Sequence, residues 1–68
     1  MSDILPGYVY RCKKYNRVGI ASPVGPNGGV DLTLIGIEIP DYEISCHSDD
    51  LKLASYNDIV DASVINNI

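Results

Sequence analysis

"YVYRCKKYNRVGIA", residues 8–21, alternates through its first half and then breaks at a polar centre. Tyr8, Tyr10 and Cys12 fall on one side of an extended chain, and Val9, Arg11 and Lys13 fall on the other. Alternation with a period of two is the pattern of a half-buried strand. The side bearing the tyrosines is expected to face the core. Lys14-Tyr15-Asn16-Arg17 fits a tight connection, because asparagine tolerates the left-handed backbone. Residues 17–22 read as a second strand, with Val18 and Ile20 on one face. Gly19 in its middle marks a bulge or a close approach of another backbone. The stretch is read as a β-hairpin, which sets the fold class as mainly β.

The flanking sequence continues the pattern. Pro6-Gly7 is a turn signal ahead of the hairpin. In "PVGPNGG", residues 23–29, Pro26 presets a turn and Asn27 or Gly28 supplies positive φ. "VDLTLIGIEI", residues 30–39, is the strongest strand and becomes apolar on both faces from Leu34 onward, so it needs cover on both sides. Gly36 is expected to bend it. After the Pro40-Asp41 turn, Tyr42, Ile44 and Cys46 share one face of a fourth strand. His47-Ser48-Asp49-Asp50 is a polar turn, and residues 51–54 close the sheet.

The C-terminal segment has two readings. Ser55 with Asp58 resembles a capping box, and Tyr56, Ile59, Val60, Ser63 and Val64 form an apolar stripe at helical spacing. "IVDASVI" also alternates, which leaves a sixth strand open. The helix is preferred. Asn66-Asn67-Ile68 is expected to fray.

Five short strands with turns every few residues predict a single domain over residues 1–68. It comprises a small barrel over 6–54 and a short C-terminal helix, or sixth strand, over 55–66. "GYVYR" at 7–11, "RVGIA" at 17–21 and "DDLKLA" at 49–54 resemble the opening, second and closing strands of SH3-like small barrels of the KOW/Tudor type. That resemblance implies a five-stranded SH3-like barrel that binds proteins or RNA. It also implies no catalytic role, since few such barrels are enzymes.

Composition constrains the rest. A chain of 68 residues buries only about 60% of its unfolded surface, so efficient packing or oligomerisation is needed. Residues 1–30 carry a net charge of +3 and residues 31–68 a net charge of −7, giving −4 overall. Two cysteines are too few for a disulfide framework, and both are expected to be free thiols. Met1-Ser2-Asp3 lacks the features of a secretory leader, and no apolar run reaches the ~18–20 residues of a membrane span. A cytoplasmic protein away from membranes is expected.

No motif points to catalysis. Cys46 and His47 are adjacent, and side chains of neighbouring strand residues point to opposite faces, so they cannot act as nucleophile and base. Cys12, Cys46, His47, Asp49 and Asp50 lack zinc-ligand spacing. "GPNGG" lacks the following lysine and helix of a phosphate loop. Neither enzymatic activity nor a cofactor or metal is expected.

Two surfaces remain as candidates. Arg11, Lys13, Lys14 and Arg17 with Tyr15 form a basic hairpin suited to a protein or nucleic-acid partner. Ile35, Ile37 and Ile39, with the Asp49-Asp50 turn, form a candidate interface to a protein partner or a second copy. The expected function is a non-catalytic protein-interaction module, such as a small regulator or inhibitor of the accessory-protein type found in phages and mobile elements. RNA binding by the basic hairpin, or mimicry of nucleic acid by the acidic half, are the alternatives.

Overall fold

In a computed structural model, which describes residues 4–67, the alternating stretches are strands and the turn-rich stretches connect them. β1 (Val9–Cys12), β2 (Arg17–Ala21), β3 (Gly29–Leu34), β4 (Glu43–His47) and β5 (Leu51–Leu53) pair antiparallel in the order β4-β3-β2-β1-β5. A single 3-10 turn, Ser48–Asp50, separates β4 from β5. Two short helices follow, α1 (Tyr56–Val60) and α2 (Ala62–Ile65). No ladder joins β4 to β5 among the described residues, so the sheet is open.

The turn residues act as their chemistry directs. Asn16 has φ 54° in the β1–β2 connection, and Gly28 has φ 80° in the loop before β3. Gly7, at φ 88°, follows Pro6 in a turn closed by Tyr8 N–H donating to Leu5 O at 3.3 Å.

The register puts the core on one face. Tyr10 lies opposite Gly19 and Leu53, Leu32 opposite Ala21 and Ile44, and Val30 opposite Cys46. Tyr10, Cys12, Leu32, Leu34, Cys46 and Leu51 pack there with Ile4. Tyr8 departs from the expected pattern. It precedes β1 and is 56% exposed, because the turn at Pro6-Gly7 delays the start of the strand. Gly19 marks a close approach, since a Cβ there would lie 2.8 Å from the Thr33 carbonyl carbon on β3.

The strand expected over 30–39 ends at Leu34. Beyond it the chain bends through Gly36 at φ 71°, where a Cβ would sit 2.7 Å from the Ser63 amide nitrogen. The bend brings the segment under α2, and Ile37 packs half-buried against the core.

The C-terminal segment is helical and carries the capping box: Asp58 N–H donates to Ser55 Oγ at 3.1 Å, and Ser55 N–H donates to Asp58 Oδ2 at 3.1 Å. Much of its apolar stripe is turned outward. Tyr56, Val60 and Val64 are 80%, 59% and 75% exposed, whereas Asp58, Ala62 and Asn66 are buried. Spacing of i, i+4 and i+8 places each set on one side of the helical segment. Asp58 and Asn66 face inward because the sheet there presents Arg11 and the backbone of Val18, which need polar partners. Asn66, expected to fray, is fully buried, while Ile68 lies outside the described residues.

Candidate interaction site

The five candidate residues of the basic hairpin divide into those committed internally and those turned outward. Arg11 is committed. Its Nη1 donates to Asp58 Oδ1 at 2.8 Å and its Nη2 to Asn16 Oδ1 at 2.6 Å. It therefore ties β1 to the start of α1 and braces the turn. Lys13 and Lys14 are exposed, and Lys14 Nζ lies 5.4 Å from the centre of the Tyr15 ring. That distance is within cation–π range.

Arg17 shapes the turn. Its Nη1 donates to the carbonyls of Tyr15 at 3.2 Å and Asn16 at 3.1 Å. Tyr15 and Arg17 then meet Tyr42, Ile44, Ser45 and Asn67 around a cleft of about 460 Å³. The cleft joins the hairpin to β4, although more than twenty residues separate Arg17 from Tyr42 in the chain.

Alternation places Tyr42 and Ile44 on one strand face, but nothing in the sequence places that face beside Tyr15. Long-range pairing of β2, β3 and β4 brings them together. Ser45 and Asn67 carried no signal at all.

The other candidate surface is dispersed. Ile35 and Ile37 are half-buried and Ile39 is exposed, beside a smaller hollow of about 230 Å³ that includes Ile37, Ile39 and Ser63. Asp49 and Asp50 sit apart from these, in the 3-10 turn between β4 and β5. The Asp49 amide donates to His47 Nδ1 at 3.1 Å, and the Asp50 carbonyl accepts from Lys13 N–H at 2.8 Å.

The thiol and imidazole are set apart as the strand geometry requires. Cys46 is buried and His47 is exposed. Burial, and then a hydrogen bond with Cys12, push the Cys46 thiol up to about 12. A thiol held protonated is a poor nucleophile. His47 uses Nδ1 as an acceptor to cap the 3-10 turn. Among the described residues, no three His, Cys, Asp or Glu side chains gather as metal ligands. The same residues contain no helix long and apolar enough to cross a membrane.

Asp58 is held below the usual carboxylate range, chiefly by the Ser55 backbone N–H. Burial opposes the shift, and the Arg11 guanidinium adds to it.

Set beside known proteins, the chain matches no family model, no curated protein and no solved structure.

Proposed function

We propose that this chain is a non-catalytic protein-interaction module, a small regulator or inhibitor that engages its partner through the Tyr15–Arg17 turn and the cleft beside it. One observation carries the reading: Tyr15, Arg17, Tyr42 and Ile44 converge on an open cleft from two distant segments. Tyrosine and arginine are the side chains that most often anchor protein interfaces. Arg17 is already fixed by the turn carbonyls, so little of its freedom is lost on binding.

The small SH3-like barrel is proposed as the frame. Its support is the meander from β1 to β4 with a fifth strand returning to β1. The 3-10 turn also bridges the two ends of the sheet, since Ser48 N–H donates to Gly28 O and Lys13 N–H to Asp50 O. Nucleic-acid binding is the weaker reading, because Arg11 is already neutralised by Asp58.

Affinity capture from cells of the native host tests the function, with nuclease-treated and untreated extracts run in parallel. The expected result is a protein retained at near-equal stoichiometry by wild type in both extracts. It should be lost from a folded Arg17→Ser/Tyr42→Ala double variant. Capture that vanishes with nuclease, or is indifferent to the double substitution, overturns the reading.

A further inference from the structure

Ile44 and Ser45 are consecutive in β4, yet both line the same cleft. Consecutive strand residues point to opposite faces of a sheet. One flank of β4 is occupied by β3. The other flank is unpaired, so the cleft that these β4 residues line borders the free edge of the sheet.

The ladder fixes which backbone groups point into it. Leu34 N–H donates to Tyr42 O, and Ser48 N–H donates to Gly28 O, both at 2.9 Å. Leu32 pairs with Ile44 and Val30 with Cys46 between these bonds. Antiparallel ladders alternate bonded and non-bonded pairs. The backbones of Ile44 and Cys46 therefore face β3, and those of Glu43 and Ser45 face the open edge. Among the described residues nothing hydrogen-bonds these outward N–H and C=O groups. The other edge is poorer: β5 has three residues, and the Leu51 N–H is taken by Ser48 O.

The charge of the cleft is one-sided. Arg17 is the one ionic side chain among its described lining residues. Only its Nη1 is engaged, by two carbonyls, and no described carboxylate pairs with it. By register Arg17 shares a sheet face with Gly19 and Ile44, whereas Glu43 lies on the opposite face, accepting from Thr33 Oγ1 at 3.3 Å. An incoming carboxylate on the Arg17 face is thus separated from Glu43 by the sheet.

We infer that β4 accepts an extended peptide of the partner as an added strand, and that Arg17 selects an acidic side chain within it. This rests on the interaction-module reading and specifies how the partner is held. Glu43 and Ser45 each offer one donor and one acceptor to the added backbone. Main-chain bonds supply affinity in strand addition, and alternate side chains supply selectivity. The preferred segment carries Asp or Glu facing Arg17. An apolar residue two positions away, on the same face, meets Ile44 and Tyr42.

The test uses a display library of random octapeptides selected on the whole domain, followed by synthesis of the leading peptide. Enrichment of an acidic residue with an apolar one two positions away is expected. The bound peptide should slow amide exchange at Glu43 and Ser45. Methylating alternate backbone nitrogens of the peptide should weaken binding roughly tenfold or more, as the loss of a main-chain bond or two requires. Arg17→Gln should weaken binding to a similar degree and erase the acidic preference. Ser45→Pro, which removes an outward N–H without breaking the ladder, should also weaken it. If Ser45→Pro does not fold, the methylated peptide makes the same test. No enriched peptide, protection confined to other amides, or tolerance of backbone methylation overturns the inference. Partner capture separates the two failures. A cleft-dependent partner without strand addition sinks this inference alone, and no cleft-dependent partner sinks the reading beneath it.

Discussion

The side-chain amide of Asn66 stands between Val18 and the strand that should pair with it. Asn66 Oδ1 accepts from Val18 N–H at 2.7 Å, and Asn66 Nδ2 donates to the carbonyls of both Val18 and Ile35, each at 2.7 Å. Ile35 N–H still reaches Val18 O at 3.3 Å. The return bond from Val18 N–H to Ile35 O is replaced by the carboxamide. Asn66 thus fills the gap where β2 and β3 part, and it anchors the end of the helical segment to the centre of the sheet.

Asn66→Ala is therefore expected to be among the most damaging single changes in the chain. It leaves Val18 N–H and Ile35 O without partners in a buried site, which costs about 1–3 kcal/mol per group. A loss of roughly 2–5 kcal/mol in urea unfolding is the expected outcome. A loss below about 1 kcal/mol would show that water replaces the amide and that the anchor is not structural.

Acid should loosen the same helical segment from its other end. Asp58 is depressed in the folded chain relative to its unfolded value, which lies near 3.9 for a model peptide. Its contribution is complete above the unfolded value and fades as pH falls through the folded one. Unfolding midpoints in urea should hold from pH 7 to about pH 5 and fall below about pH 4. Asp58→Asn should lower stability at pH 7 and flatten that acid slope. An unchanged slope would assign the acid sensitivity to other carboxylates.

What the sequence revealed follows the range of each interaction. Alternation and turn chemistry are local, so the hairpin through Asn16, the bend at Gly36 and the Ser55–Asp58 capping box could all be read from neighbours. The cleft could not, because Tyr15 and Tyr42 meet only through the pairing of three strands. The facing of the helices is not legible in the stripe, for a physical reason. An apolar stripe turns inward only when the opposing surface is apolar, and here the sheet offers a guanidinium and an interrupted ladder instead. Tyr8 was misplaced by one turn of the chain, since alternation fixes sides but not where a strand begins.

Gly36→Ala tests whether the bend is fitted to α2. The substitution meets two obstacles: a φ of 71°, which a Cβ makes costly by about 1–2 kcal/mol, and the Ser63 amide 2.7 Å from that Cβ. Backbone cannot yield as a flexible side chain does. A destabilisation of about 2 kcal/mol or more is expected, with the largest amide shift changes at residues 62–66. Shift changes confined to residues 34–38 would mean that the bend and the helix are independent.

The two thiols should be silent in the folded chain. Burial and the hydrogen bond with Cys12 keep the Cys46 proton in place up to about 12. An unfolded cysteine near 8.5 ionises well below that. A raised folded value makes its contribution complete below the unfolded value and diminishing as pH climbs from there toward 12. At pH 8 an aromatic disulfide reagent should label neither Cys12 nor Cys46 faster than global unfolding permits, and both should react at once in urea. Rapid labelling of either in the native state would place it in a locally opening segment.

The outward stripe of the helices makes the sharpest contrast between sequence and structure. If Tyr56, Val60 and Val64 packed into the core, replacing any one by lysine would bury a charge and unfold so small a domain. Their exposures of 80%, 59% and 75% lead to the opposite expectation. Val64→Lys exchanges an exposed β-branched residue for a better helix former, so stability should stay within about 0.5 kcal/mol of wild type or rise slightly. Ala62 is the internal control, since it is only 2% exposed on the inward side. Ala62→Lys should abolish cooperative unfolding while Val64→Lys preserves it. Two neighbouring substitutions with opposite outcomes would fix the rotation of α2 about its axis. If Val64→Lys unfolded the chain and Ala62→Lys did not, the polar face would have to turn outward, and the Arg11–Asp58 pair and the Asn66 anchor could not both form.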